Sequence, residues 1–424
     1  MSDTIFALSS GSPPAAIAVV RVSGPSTHAA LERLAGPLPP PRRAVLRTLR
    51  DTAGEMLDEA LVLSFPGPAS ATGEDCGELH CHGGRAVVGA VCEALASMPG
   101  LRAAEPGEFT RRAFANGRID LAQAEALGDL LAAETELQRR AAQAGVGGAL
   151  SKQVEHWRDE VLALSAIVEA ALDFAEEDGA DALPADFGER RTELRQALED
   201  ALARPQAERL RDGIRVVLAG PPNSGKSSLF NALLGDGAAI TSPLAGTTRD
   251  VLERPVAFDG VPFVLVDTAG LHEGGADPIE EIGMARARDQ LERSDIVLWL
   301  GPEGEGPDGA IEVQSRCDEQ TGPHKQRPDH LVSSLTGAGL GALEADLVGR
   351  ARALLPKPNA AAVNARQAAL LREASEALAE SGGGDLLIVA ETLRTARSSF
   401  DRLLGRSGVE DMLDTLFGRF CIGK

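Results

Sequence analysis

Short apolar runs punctuated by Gly and Pro open the chain. "AAIAVVRV" at 15–22 and "EALVLSF" at 59–65 have the look of half-covered strands, so residues 1–118 are expected to form an α+β domain around a sheet. From 119 the pattern changes to Ala, Leu, Glu, Gln and Arg at helical spacing, as in "IDLAQAEALGDLLAAETELQRRAAQ" at 119–143, and residues 119–212 read as a helical domain or half of one. Strand-like runs then return at "IRVVLAG" (214–220), "VPFVLVD" (261–267), "IVLWLG" (296–301) and "HLVSS" (330–334). Their alternation with helical segments predicts a mostly parallel sheet wrapped by helices over 213–352. Beyond 353 the helical spacing resumes in "ARQAALLREASEALAE" and "DLLIVAETLRTARSSFDRLLG". The economical architecture is multi-domain, α+β followed by α/β: an all-α domain in two halves, 119–212 and 353–424, with the sheet domain inserted between them. Two independent helical arms are the alternative.

Composition narrows the function. A formal charge of −21 over 424 residues excludes a surface that grips nucleic acid indiscriminately, so a nucleic-acid partner needs a local patch or another subunit. The five cysteines, at 76, 81, 92, 317 and 421, form no regular framework, and their odd number suits a reducing compartment. No leader-like start and no run long enough to span a bilayer is present, so a cytoplasmic protein without membrane contact is expected.

The chemistry concentrates in "AGPPNSGKSSLF", 219–230. Gly220, Gly225, Lys226 and Ser227 fit the phosphate-loop pattern, and the loop follows a strand and opens a helix, as its mechanism demands. Backbone N–H groups and the helix N-terminus would face phosphates, Lys226 would bridge β and γ, and the Ser227 hydroxyl would ligate magnesium. Asn223, Ser224, Gly225 and Ser228 complete the loop. Downstream, "VLVDTAG" puts Asp267 at a strand end with Thr268, Ala269 and Gly270 after it, the Gly270 N–H being placed to sense a γ-phosphate. "SPLAGTTRD" supplies Ser242, Pro243, Leu244, Ala245, Gly246, Thr247 and Thr248 on a loop able to close over the nucleotide. Together these spell a GTPase.

Two departures stand out. Where a GTPase reads guanine with Asn-Lys-x-Asp, the best match here is "SRCD": Asp318 can accept both N1–H and N2–H₂, Arg316 can cover the ring, and Ser315 is shorter than Asn and should lose a contact. The alternative is that "SRCD" is only a surface loop. Ser333, Ser334 and Leu335 complete the expected nucleotide set. Catalysis also departs, because Leu271 stands where a water-positioning Gln is found in Ras-like proteins. Asn223 and oxygens of the 242–247 segment could instead hold a monovalent cation in place of an arginine finger.

Over essentially its whole length the chain resembles the MnmE (TrmE) family of tRNA-modification GTPases. The signatures are "GPPNSGKSS", "AGTTRD", "DTAGL", "PGEFTRRAFANGRIDLAQAEA" and the C-terminal "CIGK". The resemblance implies a Ras-like P-loop domain inserted in a discontinuous helical domain. It implies potassium at Asn223, Ser242, Leu244 and Thr247, and magnesium at Ser227 and Thr248. Glu280 in "EEIG" would orient the attacking water, rather than Glu281, which also fits a solvated helix start. The N-terminal domain would dimerise and bind a tetrahydrofolate derivative, 5,10-methylene or 5-formyl, through Arg21, Glu78, Arg118 and Lys424, with Cys421 near the one-carbon unit. The implied partners are a second copy of the chain, the FAD- and NADH-using MnmG in a heterotetramer, and tRNA, whose wobble uridine would be modified at C5.

Other clusters in the sequence admit other chemistry. "CGELHCHGG" gathers Cys76, His80, Cys81 and His82, but strand alternation sets Cys81 opposite Glu78, His80 and His82, against a zinc site. The arginines of "PRRAVLRTLR" (Arg42, Arg43, Arg47, Arg50) and "TRRAFANGR" (Arg111, Arg112, Arg118) could touch tRNA phosphates, with a solvated face the default for the first. A ribosome-assembly GTPase, or a regulatory homologue with an impaired nucleotide site, are the rival functions.

Overall fold

The computed structural model describes residues 3–173, 183–205, 207–236, 238–239, 252–268, 288–319, 324–356, 362–380, 385–408, 410–418 and 420–423. They divide into two compact units, Met1–Gly128 with Ser398–Lys424, and Asp129–Arg397.

The first unit is α+β. Strands β1 (Thr4–Leu8), β2 (Ala15–Ser23), β3 (Val45–Arg50), β4 (Met56–Phe65), β5 (Cys76–Gly83) and β6 (Leu101–Ala103) form one sheet in the order β3-β4-β5-β2-β1-β6. All neighbours are antiparallel except β1 and β6. Period-2 alternation decides the faces. Val20, Val22, Val62, Leu79 and Cys81 pack with Leu31, Leu34, Val91 and Leu95 of the helices Thr27–Ala35 and Arg85–Ala96. Arg21, Glu78 and His80 therefore stand on the other face.

The same unit takes in the C-terminal segment. Phe417 and Phe420 pack with Ala124, Ile422 bridges to Pro106, and Ser9 Oγ donates to Gly423 O at 2.8 Å. A side chain at Gly423 would collide with the Leu8 carbonyl, so the approach needs glycine.

The helical run expected over 119–143, which spans the boundary at Gly128, is broken. Helices Leu121–Ala132 and Glu136–Val146 are separated at Thr135, whose hydroxyl accepts from Gln138 N–H while Gln138 Oε1 accepts from the Thr135 N–H. This capping box restarts the helix. On either side of the sheet domain in sequence, the helices Phe187–Leu202 and Ala365–Ala379 pack on one another, and Arg191 Nη1 donates to Glu380 O at 3.2 Å. Helix Leu386–Leu404 follows.

The inserted sheet runs β13-β12-β11-β7-β10-β9-β8, with β7 (Ile214–Ala219), β8 (Ala238–Ala239), β9 (Leu252–Phe258), β10 (Val261–Asp267), β11 (Ile296–Trp299), β12 (Ile311–Gln314) and β13 (His330–Leu331). β10, β7, β11, β12 and β13 are parallel; β9 and β8 add antiparallel pairs. Ile214, Val216, Leu218, Leu298, Ile311 and Val313 bury one face against helices Lys226–Asp236 and Leu340–Leu354.

Three features differ from the sequence expectation. β9 and β10 form a hairpin through Asp259 and Gly260, whose φ values of 47° and 74° suit the Asp-Gly turn that twisted hairpins favour. "HLVSS" yields a strand of only two residues, His330–Leu331. The connection from β11 to β12, Leu300–Ala310, contains no helix, although parallel neighbours are usually joined by one.

Candidate functional site

The phosphate loop leaves β7 and ends where the helix Lys226–Asp236 begins. Asn223 adopts φ 62°, a left-handed conformation that Asn tolerates better than most residues, and Gly225 adopts φ 97°. A Cβ at Gly225 would come within 3.1 Å of Ser315 Oγ, so the loop and the end of β12 meet there without room for a side chain. Lys226 is 3% exposed, and its Nζ donates to Gly220 O at 2.9 Å and Pro221 O at 2.8 Å. Burial holds its ammonium below the usual lysine range, and the Asp267 charge opposes that shift. The ammonium is thus pinned across the loop mouth. Asp267 is buried at the end of β10, and Thr268 Oγ1 donates to Leu218 O at 2.8 Å. Asn223, Ser227 and Ser228 are exposed, which leaves the Ser227 hydroxyl at the first turn of the helix accessible to a ligand.

Because β12 lies two strands from β7 in a parallel sheet, "SRCD" emerges at the carboxyl edge beside the loop, where α/β folds bind ligands. Ser315 Oγ donates to Ser224 O at 2.7 Å, and Arg316 Nη2 approaches Asn223 O at 3.4 Å. The short side chain therefore spends its hydroxyl on the phosphate loop. Asp318 is exposed, Ser333 is buried with its hydroxyl accepting from Thr336 N–H at 3.1 Å, Ser334 is half-buried, and Leu335 is exposed. Removing the 315 hydroxyl should loosen the loop: Ser315→Ala is expected to weaken GTP binding about fivefold, the worth of one hydrogen bond. Titration with a fluorescent guanine nucleotide checks this, and unchanged affinity would mean the contact is idle.

Sequence reasoning missed a second set of side chains on this edge. Lys325, 6% exposed at its side chain, donates to Trp299 O at 2.7 Å and to Glu312 Oε2 at 2.5 Å, while Glu303 accepts from the Gln326 and Arg327 amides. These contacts pin the helix-free Leu300–Ala310 connection, beside a cavity of about 520 Å³ that touches the loop at Pro221–Ser224. No local motif announces them, since they are joined only by the fold.

In the first unit, Arg21, Glu78 and Arg118 line one cavity of about 350 Å³. Arg21 Nε and Nη2 donate to Glu78 Oε1 at 3.1 and 3.0 Å, and His80 Nε2 lies 3.0 Å from Glu78 Oε2. Burial would raise the Glu78 carboxyl, but the hydrogen bond from His80 and the Arg21 charge bring it below its ordinary value. The carboxylate is thus ionised and held at both oxygens. Arg42, Phe65 and Cys76 also line this cavity, and Arg42 is exposed, in keeping with the solvated face expected for it. Cys421 is exposed.

The arginines of "TRRAFANGR" do not form one basic patch. Arg112 is fully buried among Asp3, Glu74 and Glu108, at 3.0, 3.2 and 3.0 Å, and has no surface to offer a phosphate; Arg111 pairs with Asp414 at 3.0 Å. In "CGELHCHGG", Cys81 is buried on the helix side, where burial pushes its thiol up to about 12, and His82 Nδ1 lies 2.8 Å from Asp58 Oδ1. Among the described residues no three His, Cys, Asp or Glu side chains are placed to share a metal, and no helix is long and apolar enough to cross a membrane. Ser242, Pro243, Leu244, Ala245, Gly246, Thr247, Thr248, Ala269, Gly270, Leu271, Glu280, Glu281 and Lys424 lie outside the described residues.

Comparison with known proteins places the chain in a family. Residues 4–118 match the family described as "GTP-binding protein TrmE N-terminus", and residues 121–421 match "MnmE helical domain". The tRNA modification GTPase MnmE of Erythrobacter litoralis is 65% identical over 100% of both chains, and that of Novosphingobium aromaticivorans is 56% identical, again over 100% of both. Among solved structures, the G domain of the T. maritima FeoB iron transporter aligns at 28% identity over 32% of this chain and 98% of its own, with a TM-score of 0.24.

Proposed function

The chain belongs to the MnmE family of tRNA modification GTPases, and from that premise we propose that it is a potassium-activated GTPase whose cycle drives a folate-dependent modification at C5 of the wobble uridine of certain tRNAs. It is a GTP hydrolase. The observation that carries the fuller reading is that Arg21, Glu78 and Arg118 share one cavity in a chain that also carries the phosphate loop. A ribosome-assembly GTPase has no use for such a cavity. The other rival, an impaired nucleotide site, fits poorly with Ser315 and Arg316 reaching the phosphate loop.

On this reading Lys226 neutralises charge at the β- and γ-phosphates, and Asp318 reads the guanine edge under the cover of Arg316. Magnesium would be held by Ser227 and Thr248, and potassium by Asn223, Ser242, Leu244 and Thr247. The exposed Ser227 hydroxyl and the outward left-handed turn at Asn223 fit those roles. The two ions would supply the positive charge that an arginine finger supplies elsewhere. Glu280 would orient the attacking water, as a base with no Gln beside it must.

In the first unit Glu78 would accept the amino and N–H edge of a reduced pterin, and Arg118 and Lys424 would meet its carboxylates, with Cys421 beside the one-carbon unit. A homodimer, assembled with MnmG and acting on tRNA, completes the proposal. The partner would also supply basic surface for tRNA, which a chain of net charge −21 lacks.

The test is GTP and ATP hydrolysis in KCl against NaCl at equal ionic strength, with Asn223→Ala and Glu280→Ala alongside. GTP turnover is expected to fall at least about tenfold in NaCl and in each variant. Equal turnover in both salts would remove potassium from the mechanism.

A further inference from the structure

The cavity of the first unit is lined by one charged residue, Arg42, that the proposed ligand set does not use. Its charged lining comprises Arg21, Arg42, Arg118 and one carboxylate, Glu78. Arg21 already holds that carboxylate, and among the described residues neither Arg42 nor Arg118 is paired with an acidic side chain. Two guanidinium groups without an acidic partner, both on exposed residues, therefore border about 350 Å³ of space in a chain of net charge −21. A site so charged selects an anion.

Arg42 is the better fixed of the two. Its guanidinium lies over the Phe65 ring, 5.8 Å from the centroid, and donates to the Ala69 carbonyl. Its backbone sits at φ 62°, an uncommon conformation for a residue with a side chain, and its N–H donates to Ser64 O at 2.9 Å. Such a conformation persists where the surroundings over-determine it, and it clusters at ligand sites. The contact with Phe65 and the bond to Ala69 leave further N–H groups to donate.

Register places Arg42 relative to Glu78. Phe65 pairs with Cys76, and Leu63 pairs with Glu78, which in turn pairs with Arg21. The Phe65 row is thus two residues, roughly 7 Å, from the row that holds the carboxylate. A ligand whose hydrogen-bonding edge meets Glu78 would have to extend along the strands to reach Arg42, with an anionic group at its far end.

We infer that Arg42 is a further binding residue of this cavity, one that takes a carboxylate of the benzoylglutamate tail of a folate and makes the site selective for tailed folates over bare pterins. The inference rests on the folate reading of the cavity. Arg42 acts by bidentate donation to the tail, while recognition of the pterin edge stays with Glu78.

Calorimetric titration separates the two ideas. The wild-type protein, Arg42→Ala and Arg42→Lys are each titrated with 5-formyltetrahydrofolate and with 6-methyltetrahydropterin, which has no tail. Arg42→Ala is expected to weaken 5-formyltetrahydrofolate about tenfold or more and to leave the pterin unchanged; Arg42→Lys should recover part of the loss, since it keeps the charge without the fork. Arg42→Gly, which accepts the left-handed backbone without strain, serves if the alanine variant folds poorly. If the wild type binds neither compound, the folate reading falls and this assignment with it. If the wild type binds both and the Arg42 variants leave their ratio unaltered, the folate reading stands and the assignment of Arg42 is wrong.

Discussion

Lys226→Ala is expected to lower the rate of GTP hydrolysis by two to three orders of magnitude, about the loss seen when one preorganised charge donor is removed from a transition state. The side chain is buried and its ammonium bridges two carbonyls, Gly220 O and Pro221 O, so the charge waits at the loop mouth with little left to reorganise. Its removal also leaves those carbonyls without their donor, so nucleotide affinity should fall together with turnover. Lys226→Arg should not rescue, because the pocket around a side chain 3% exposed has no space for a planar fork. Single-turnover hydrolysis separates the two effects. Turnover within about threefold of wild type would remove Lys226 from the chemistry.

Arg112→Ala is expected to destabilise the first unit by about 3–5 kcal/mol, because it strands carboxylates that the guanidinium now satisfies in the interior. Asp3, Glu74 and Glu108 converge on Arg112, and Arg102 Nη2 meets Glu108 Oε1 at 2.5 Å. Burial alone would raise the carboxyls of Asp3 and Glu108, but Arg102 and Arg112, with the Glu105 amide at Glu108, hold both below their ordinary values of 3.8 and 4.5. A depressed carboxyl contributes stability that is complete above its unfolded value and disappears as pH falls through the folded one. The wild type should therefore lose stability on acidification below about pH 4.5, and Arg112→Ala should show a shallower acid slope there. Urea unfolding at pH 7 and pH 4 checks both. A variant as stable as wild type at pH 7 would mean that the cluster is solvated.

The division between what the sequence disclosed and what it hid follows from interaction range. The phosphate loop, the strand ending at Asp267 and the long helices were legible because each is specified by residues close in the chain. The break at Thr135 was missed because helical spacing runs on through it, while the capping box that interrupts it uses only Thr135 and Gln138. The Asp259–Gly260 hairpin turn was overlooked although its dipeptide is a strong local signal. The short strand β12 is not among the runs read as strands, yet it carries Ser315 and Arg316 to the loop. Burial of Arg112 could not be read at all, since its partners lie at positions 3, 74 and 108. Arg42 is exposed as expected, but its place beside Glu78 in one cavity was hidden for the same reason.

The hydrogen bond from Ser9 to Gly423 also sets an order of events during synthesis. The sheet of the first unit is made early, but Phe417 and Phe420, which pack with Ala124, and Ile422, which bridges to Pro106, leave the ribosome only after the whole of Asp129–Arg397. Domains generally fold as they emerge, so the GTPase sheet closes while the unit begun before it still lacks its final segment. The first structure started is the last one finished, and a chain stalled before residue 417 would present an N-terminal unit with the face that receives those side chains uncovered.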